Sequence, residues 1–349
     1  MKIAMKMQPQ MKKKFANLKG DMNMNKKFES ICRMSQKALK GYVATQLKKT
    51  HKGVNVGDGY VFAKGDFPVL LVAHLDTVHE NLPTTIVYDT LDGSLSSPNG
   101  IGGDDRCGVY MILEIIKHYN CSVLFCEDEE IGGKGATKFT KTELAKELSF
   151  NYALEFDRKG SNDAVFYSCD NKDFEQFITK DFYKTSYGSF SDISVLAPFL
   201  GCAAVNLSCG YYMAHTNSEY VVLSEMEKSI EAACDILERT TESDKFEYVE
   251  MSYRDFYRDY YYYYGYGGYG MGYGRSYTKT YTTATEIEED VDDDYGYATY
   301  YFLIELFDGK QTQWFETFAL SEDEAVGLCL KQYPDLTYNS IIDICKERM

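Results

Sequence analysis

The chain has 349 residues, 44% of them hydrophobic and 26% charged, which is enough for one large domain with a buried core and a smaller second part. Its formal net charge of -16 argues against nucleic acid or an anionic membrane surface as a main partner. The basic amino-terminal stretch lacks the apolar core of a secretory signal, and no run of about 18 apolar residues occurs, so we expect a cytoplasmic protein without membrane association. The 10 cysteines show no C-x-x-C spacing and are expected to be free thiols.

Residues 1–245 alternate between short β-rich runs and amphipathic stretches. This alternation is typical of an α/β fold with a mostly parallel or mixed twisted sheet flanked by helices. Strands are predicted, in chain order, at 68–76, 121–129, 151–157 and 203–210. Helices are predicted at 105–119, 141–148, 173–180 and 224–240.

The amino-acid composition of the chain changes after residue 245. A tyrosine- and glycine-rich tract followed by an acidic run predicts a linker over residues 246–296. Residues 297–349 are predicted to form a small α+β module of ββα type, with strands at 299–309 and 311–320 and helices at 321–334 and 339–347. This module is a candidate for binding a protein partner.

Histidines and acids, five of them candidate metal ligands, stand where the predicted strands end and where one helix starts. They are His74, Asp76, Asp104, Glu129, Glu130, Asp157 and His215. Because the carboxyl ends of parallel strands share one edge of a sheet, we expect these groups to converge there. Two imidazoles with several carboxylates favour zinc, with cobalt or manganese as alternatives, and five ligands suit a pair of ions that share a carboxylate and a water.

The same residues form a series of short motifs: His74-Leu75-Asp76, then Gly103-Asp104-Asp105-Arg106, then Asp128-Glu129-Glu130, a later Asp157 and a final His215. In this order they resemble the co-catalytic dizinc exopeptidases of metallopeptidase clan MH over about residues 66–240. That group includes aminopeptidases, carboxypeptidases, dipeptidases and related amidohydrolases. The resemblance implies a zinc-exopeptidase fold and two bound zinc ions.

The resemblance also implies a role for each of these residues. Asp104 would bridge the two ions, His74 and Asp157 would complete the shell of one, and Glu130 and His215 that of the other. Glu129 would be the general base, and Asp76 would hold the ring of His74. It further implies a cis peptide bond between Asp104 and Asp105.

Other polar residues have simpler interpretations. His51, His79 and His118 are expected at the surface, with His79 a weaker candidate for supporting the metal site. Asp105 is expected to cap a helix, and Asp192 to lie in a loop turn. Only 57 residues separate Asp157 from His215, which is too few for the lid domain of many carboxypeptidase-like relatives and favours the compact aminopeptidase branch.

The leading hypothesis is a cytoplasmic dizinc exopeptidase, an aminopeptidase acting on short peptides. An amidohydrolase that removes an acyl group from an amino acid, or a carboxypeptidase, would use the same metals and base. A non-catalytic binding protein is disfavoured because the base and all five ligand positions are present.

Overall fold

The structure is a computed structural model that describes residues 22–251 and three strands at 300–307, 312–319 and 337–343. The chain divides into two compact units, Met1–Gly267 and Gly268–Met349. Among the described residues, no helix is both long enough and apolar enough to span a membrane.

The first unit alternates strands and helices. Its strands are β1 Val54–Gly57, β2 Tyr60–Ala63, β3 Phe67–His74, β4 Val87–Tyr88, β5 Ser94–Ser96, β6 Cys121–Cys126, β7 Tyr152–Arg158, β8 Asp163–Val165, β9 Lys184–Ser186, β10 Ala204–Ser208, β11 Tyr211–Tyr212 and β12 Tyr220–Val222. Its helices are α1 Met22–Cys32, α2 Gln36–Leu47, α3 Gly103–Ile115, α4 Lys134–Thr140, α5 Glu143–Lys146, α6 Lys172–Ile178, α7 Asp192–Leu200 and α8 Leu223–Arg239. All four predicted strands and all four predicted helices of this region are present, with shifted ends.

The main sheet has eight strands in the order β1-β2-β6-β3-β7-β10-β8-β9. The central strands β6, β3, β7 and β10 run parallel, whereas β1, β2 and β8 introduce antiparallel pairs, so the predicted mixed sheet is confirmed. A second, antiparallel sheet has the order β11-β12-β5-β4. The carboxyl ends of the parallel strands therefore share one edge of the sheet, as predicted.

Strand β3 shows why the sheet is covered on both faces. Its residues from Val69 to Ala73 are all apolar and fully buried. Val69, Leu71 and Ala73 belong to a core that includes residues of α1, α2, α3, α6 and α8, whereas Leu70 and Val72 belong to a second core with residues of α4, α5 and α7. Because successive side chains of a strand point to opposite faces, a continuous apolar run is what a two-sided core needs.

The first unit continues past residue 245. The backbone of Phe246 donates to Asn151 O and accepts from Ala203 N, each at 2.9 Å. Farther on, Asp170 N donates to Val249 O at 2.7 Å, and Met251 N donates to Ser168 O at 2.8 Å. The segment 246–251 is thus bonded to the same unit as the main sheet.

The second unit contains β13 Tyr300–Phe307 paired antiparallel with both β14 Thr312–Ala319 and β15 Thr337–Asp343. The first two strands match the prediction. The predicted helix at 339–347 is wrong for residues 339–343, because this part of the chain pairs with β13 as β15. The predicted helix at 321–334 and most of the predicted linker lie outside the described residues.

The cysteines that the structure describes are free and buried, as expected for structural thiols. They are Cys32, Cys107, Cys121, Cys126, Cys169, Cys202, Cys209 and Cys234. Cys329 and Cys345 lie outside the described residues.

Candidate metal centre

The last residue of β3, His74, lies at the carboxyl edge of the sheet and is buried. Its Nε2 is 3.0 Å from Asp104 Oδ1 and 3.3 Å from Asp157 Oδ1. Burial alone would lower the pKa of His74, but the carboxylates of Asp157, Asp104 and Asp76 outweigh it and raise that pKa well above its usual value. One imidazole nitrogen is therefore surrounded by anionic oxygens.

A second histidine approaches from the opposite side of Asp104. His215 Nε2 is 3.2 Å from Asp104 Oδ2 and 3.1 Å from Glu130 Oε2. Hydrogen bonding to these two carboxylates raises the pKa of His215 to about 11. Asp104 thus offers one oxygen to each histidine, which is the arrangement of a bridging carboxylate.

The backbone around Asp104 is shaped by unusual torsions. The Asp104-Asp105 peptide bond is cis, as the resemblance implies, and Gly102 has the left-handed φ of 70°. Regular helical geometry in α3 starts only after Asp105. Asp105 accepts from Gly108 N through Oδ1 at 2.9 Å, as a capping residue does, and from His74 N through Oδ2 at 3.1 Å.

Asp76 connects the strand end that carries His74 with the acidic loop. Its Oδ1 is 3.2 Å from His74 Nδ1. The backbone N–H groups of Glu129 and Glu130 each donate to its carboxylate at 3.1 Å. Arg106, fully buried under this turn, donates to the carbonyls of Leu75 at 2.7 Å and Asp76 at 2.9 Å. The strand end is therefore held from both sides.

Glu129 and Glu130 leave the loop in different environments. Glu130 Oε2 contacts His215, while its Oε1 is buried and has no hydrogen-bond partner. Burial raises the pKa of Glu129 to about 10 against the opposing positive charge of His74, and the negative charges of Asp157 and Asp192 raise it further. The Glu130 carboxylate therefore contacts His215, whereas the Glu129 carboxylate lies near the acids Asp157 and Asp192.

Asp157, in β7, completes the cluster. Burial and the neighbouring Asp104 raise its pKa to about 7. Ser191 Oγ donates to its Oδ2 at 3.0 Å, and Tyr211 OH lies 3.4 Å from its Oδ1.

The donor set fits divalent metal ions. His74, Asp104 and Glu130 have ligand atoms within 4.8 Å of one another, and so do His74, Asp105 and Asp157. Several acids buried this closely repel one another, and the unpartnered Glu130 oxygen lacks a cation or donor. Imidazole nitrogens and carboxylate oxygens at one buried point are the ligands that zinc binds.

Several residues of the site lie outside the sequence motifs that identified the others. Glu219 is completely buried and bonds to the loop before Asp104, and Ser191 binds Asp157. Asp192 is buried at the start of α7, so its expected place in a loop turn is wrong. Asp105, expected only to cap a helix, also has a ligand atom within 4.8 Å of those of His74 and Asp157.

The expectations for the remaining histidines hold only in part. His51 is buried, with Nε2 2.8 Å from Cys121 O, and the side chain of His79 is 9% exposed and bonded to Glu219, so neither is a surface residue. His118 is exposed, as expected.

The structure resembles solved aminopeptidase structures. It aligns with aminopeptidase PepT from Bacillus cereus at 14% identity and a TM-score of 0.51, over 62% of this chain and 97% of that one. It aligns with a tripeptidase from Staphylococcus aureus at 12% identity and a TM-score of 0.52, over 62% of this chain and 98% of that one. No protein-family model and no curated protein sequence matches the chain. At this identity the alignments establish the fold alone, and the predicted α/β fold, which these exopeptidase structures share, is confirmed.

Proposed function

We propose that this protein is a metal-dependent exopeptidase, an aminopeptidase that uses two zinc ions to cleave short peptides. The observation that carries the proposal is the position of Asp104, whose two carboxylate oxygens each contact a different histidine at 3.0 and 3.2 Å. A carboxylate placed between two histidines is suited to bridge two ions. The aminopeptidase and tripeptidase structures that share the fold support the same class of reaction.

The ligands divide into two sets around Asp104. His74 and Asp157 would hold one ion, since their ligand atoms are 3.3 Å apart. His215 and Glu130 would hold the other, since theirs are 3.1 Å apart. Two such ions, when bound, lower the pKa of a shared water and polarise the carbonyl of the scissile bond.

In this proposal Glu129 is the residue that moves the proton. Asp76 accepts from its backbone N–H, which fixes the start of its side chain, while Glu130 beside it turns toward His215. Burial raises the pKa of Glu129 in the metal-free protein, and the positive charge of two bound ions would lower it again. The ionised carboxylate would then accept a proton from the attacking water and pass it to the leaving amine.

The surrounding charge supports recognition of a peptide amine rather than a peptide carboxylate. Close to the acidic cluster, Lys40 pairs with Glu127 at 2.5 Å, and buried Arg106 donates to backbone carbonyls. Arg158, the residue after Asp157, has its Nη2 3.6 Å from Asp163. These cations are engaged by the protein itself, so none of the three is free to pair with the carboxylate of a peptide substrate.

The central test is the substitution Glu129→Gln with metal analysis of the purified protein. We expect the variant to keep close to two transition-metal ions per chain and to lose turnover by roughly 10²- to 10⁴-fold, because the amide cannot accept the proton. Glu127→Gln, two residues earlier in the same loop, is the matched control and should retain turnover.

The substrate class is tested with the same preparations. Peptides with a free amino terminus should be cleaved, whereas N-acylated peptides and N-acyl amino acids should not. Full activity of the Glu129→Gln protein, or a parent protein that binds no transition metal, would contradict the proposal.

A further inference from the structure

The carboxylate of Glu219 is completely buried and accepts three hydrogen bonds from a distant part of the chain. Gly102 N donates to Oε2 at 2.7 Å, and Asp104 N donates to Oε1 at 2.9 Å. His79 Nε2 is 2.7 Å from Oε2. None of these partners is near Glu219 in sequence, since the residue numbers differ by more than 100.

The two backbone donors belong to the turn that presents Asp104. This turn passes through left-handed torsions at Gly100 (φ 82°) and Gly102 (φ 70°), so the chain itself restrains it little. A donor on each side of Gly103 binds a different oxygen of the same carboxylate. Glu219 therefore sets both the position and the orientation of the Asp104 backbone.

Glu219 also lies on the loop that carries the other metal ligand of this region, His215. Glu219 N donates to Thr216 O at 3.2 Å, which makes the loop from His215 to Glu219 a compact turn. The carboxylate thus connects the backbone of Asp104 directly to the segment that positions His215. The two residues that this connection joins are in contact, with Asp104 Oδ2 3.2 Å from His215 Nε2.

His79 holds Glu219 from the other side and packs on the same turn. A Cβ atom added to Gly100 would lie 2.1 Å from His79 Cε1, so the ring is in direct contact with the backbone there. The imidazole is in place both to donate to Glu219 and to cover the turn.

We propose that Glu219 and His79 form a positioning pair that fixes Asp104 between the two metal sites. This inference rests on the proposed function, because it assigns the pair a role in metal binding. Removing the carboxylate would leave the N–H groups of Gly102 and Asp104 buried without partners and free the turn to relax. A shift of about 0.5 Å in a ligand is enough to impair a metal site.

The test is the near-isosteric substitution Glu219→Gln, assayed by titrating the metal-free protein with Zn²⁺ against a chromophoric chelator. The amide has one acceptor oxygen, so it cannot serve both backbone donors. We expect zinc affinity to fall by about 10- to 100-fold. With saturating zinc, kcat should fall while KM is unchanged, because the substrate does not contact Glu219.

A second pair of variants keeps the test valid if Glu219→Gln fails to fold. His79→Gln places a side-chain N–H where Nε2 of the ring lies, whereas His79→Leu removes the donor. We expect His79→Gln to bind zinc nearly as the parent does and His79→Leu to bind it more weakly.

Tyr183→Phe is the control for the loss of a buried hydrogen bond as such. Tyr183 OH donates to Ser229 O at 3.2 Å, and the substitution should lower the melting temperature without changing zinc affinity. Parent-like zinc affinity in Glu219→Gln and His79→Leu, with only a lower melting temperature, would overturn the inference while leaving the proposed function intact. A parent protein without zinc affinity would instead contradict both the inference and the proposed function.

Discussion

At the scale of single residues, four titratable groups of the site have raised pKa values, whereas for Asp104 the hydrogen bonds to His215 and His74 outweigh burial and lower the pKa. Burial raises the pKa of Glu129 to about 10 and that of Asp192 to about 7. Burial and Asp104 raise the pKa of Asp157 to about 7, and the hydrogen bonds of Asp104 and Glu130 raise that of His215 to about 11. Without a metal, these groups bind more protons in the folded protein than in the unfolded chain.

This excess of bound protons predicts how the metal-free protein responds to pH. Stability falls with rising pH wherever the folded state holds more protons than the unfolded state. For Glu129 that window runs from its ordinary pKa of 4.5 to about 10, and for His215 from 6.5 to about 11. We therefore expect the metal-free protein to unfold at lower urea concentration at about pH 8 than at about pH 5.5.

Zinc should reverse this trend, because the ligands bind metal only in their deprotonated forms, so that zinc affinity rises with pH. The test is to compare the midpoint of urea unfolding at both pH values, once with a metal chelator and once with saturating zinc. Metal-free protein that is more stable at the higher pH would contradict the assignment of protons to the site.

At the scale of elements, helix α3 is held unusually close to strand β7. A Cβ atom on Gly108 would lie 1.9 Å from Phe156 O and 2.5 Å from Asp105 Oδ1. Glycine therefore allows the helix to lie against the strand that carries Asp157 while Asp105 caps the helix. This close approach brings Asp104 and Asp157 to the same histidine, His74.

The substitution Gly108→Ala should accordingly destabilise the protein. The nearest atom is backbone, so the helix must move, and we expect a loss of about 1–3 kcal/mol or more in the free energy of unfolding. Zinc affinity should fall as well, because the helix carries Asp104 at its start.

Gly41→Ala in helix α2 is the matched control. No atom lies within 4 Å of a Cβ atom there. This substitution should stabilise the protein by about 0.5–1 kcal/mol through helix propensity. Denaturant unfolding of both variants compares them directly, and equal effects would show that the close approach of α3 is unimportant.

At the scale of the whole molecule, the boundary of the first unit lies beyond the predicted end at residue 245. The ring of Phe246 lies 5.2 Å from the rings of Phe174 and Phe177 and 6.0 Å from that of Tyr152. Its backbone and that of the next residues bond to the strand and loop ends at Asn151, Ala203 and Ser168. The change in composition therefore precedes the structural boundary.

Two truncations test this boundary. A chain ending at Met251 keeps these contacts and should retain the zinc affinity, peptidase turnover and melting temperature of the first unit. A chain ending at Lys245 loses the half-buried Phe246 ring, which costs about 1–3 kcal/mol, and should melt at a lower temperature. Identical melting of the two truncations would show that the segment contributes no stability.

Much of the fold and of the candidate site was readable from sequence because the signals are local. Strand β3 is a continuous apolar run that ends in His74, and a histidine after such a run lies at a sheet edge by the geometry of the strand. The order of the motifs then placed His74, Asp104, Glu130 and Asp157 at neighbouring strand and helix ends. The helix predicted at 339–347 failed because pairing with β13 overrides local propensity.

By itself, the sequence determined the α/β class, the order of strands and helices and the candidate ligating groups, since each depends on residues close together in the chain. The tertiary structure alone decided that Glu219 and His79 are buried against the turn of Asp104, that Asp192 lies inside rather than in a loop, and that residues 246–251 belong to the first unit. Burial of a polar side chain depends on what packs over it from more than 100 residues away. A local sequence pattern does not show which distant residues will cover a polar side chain.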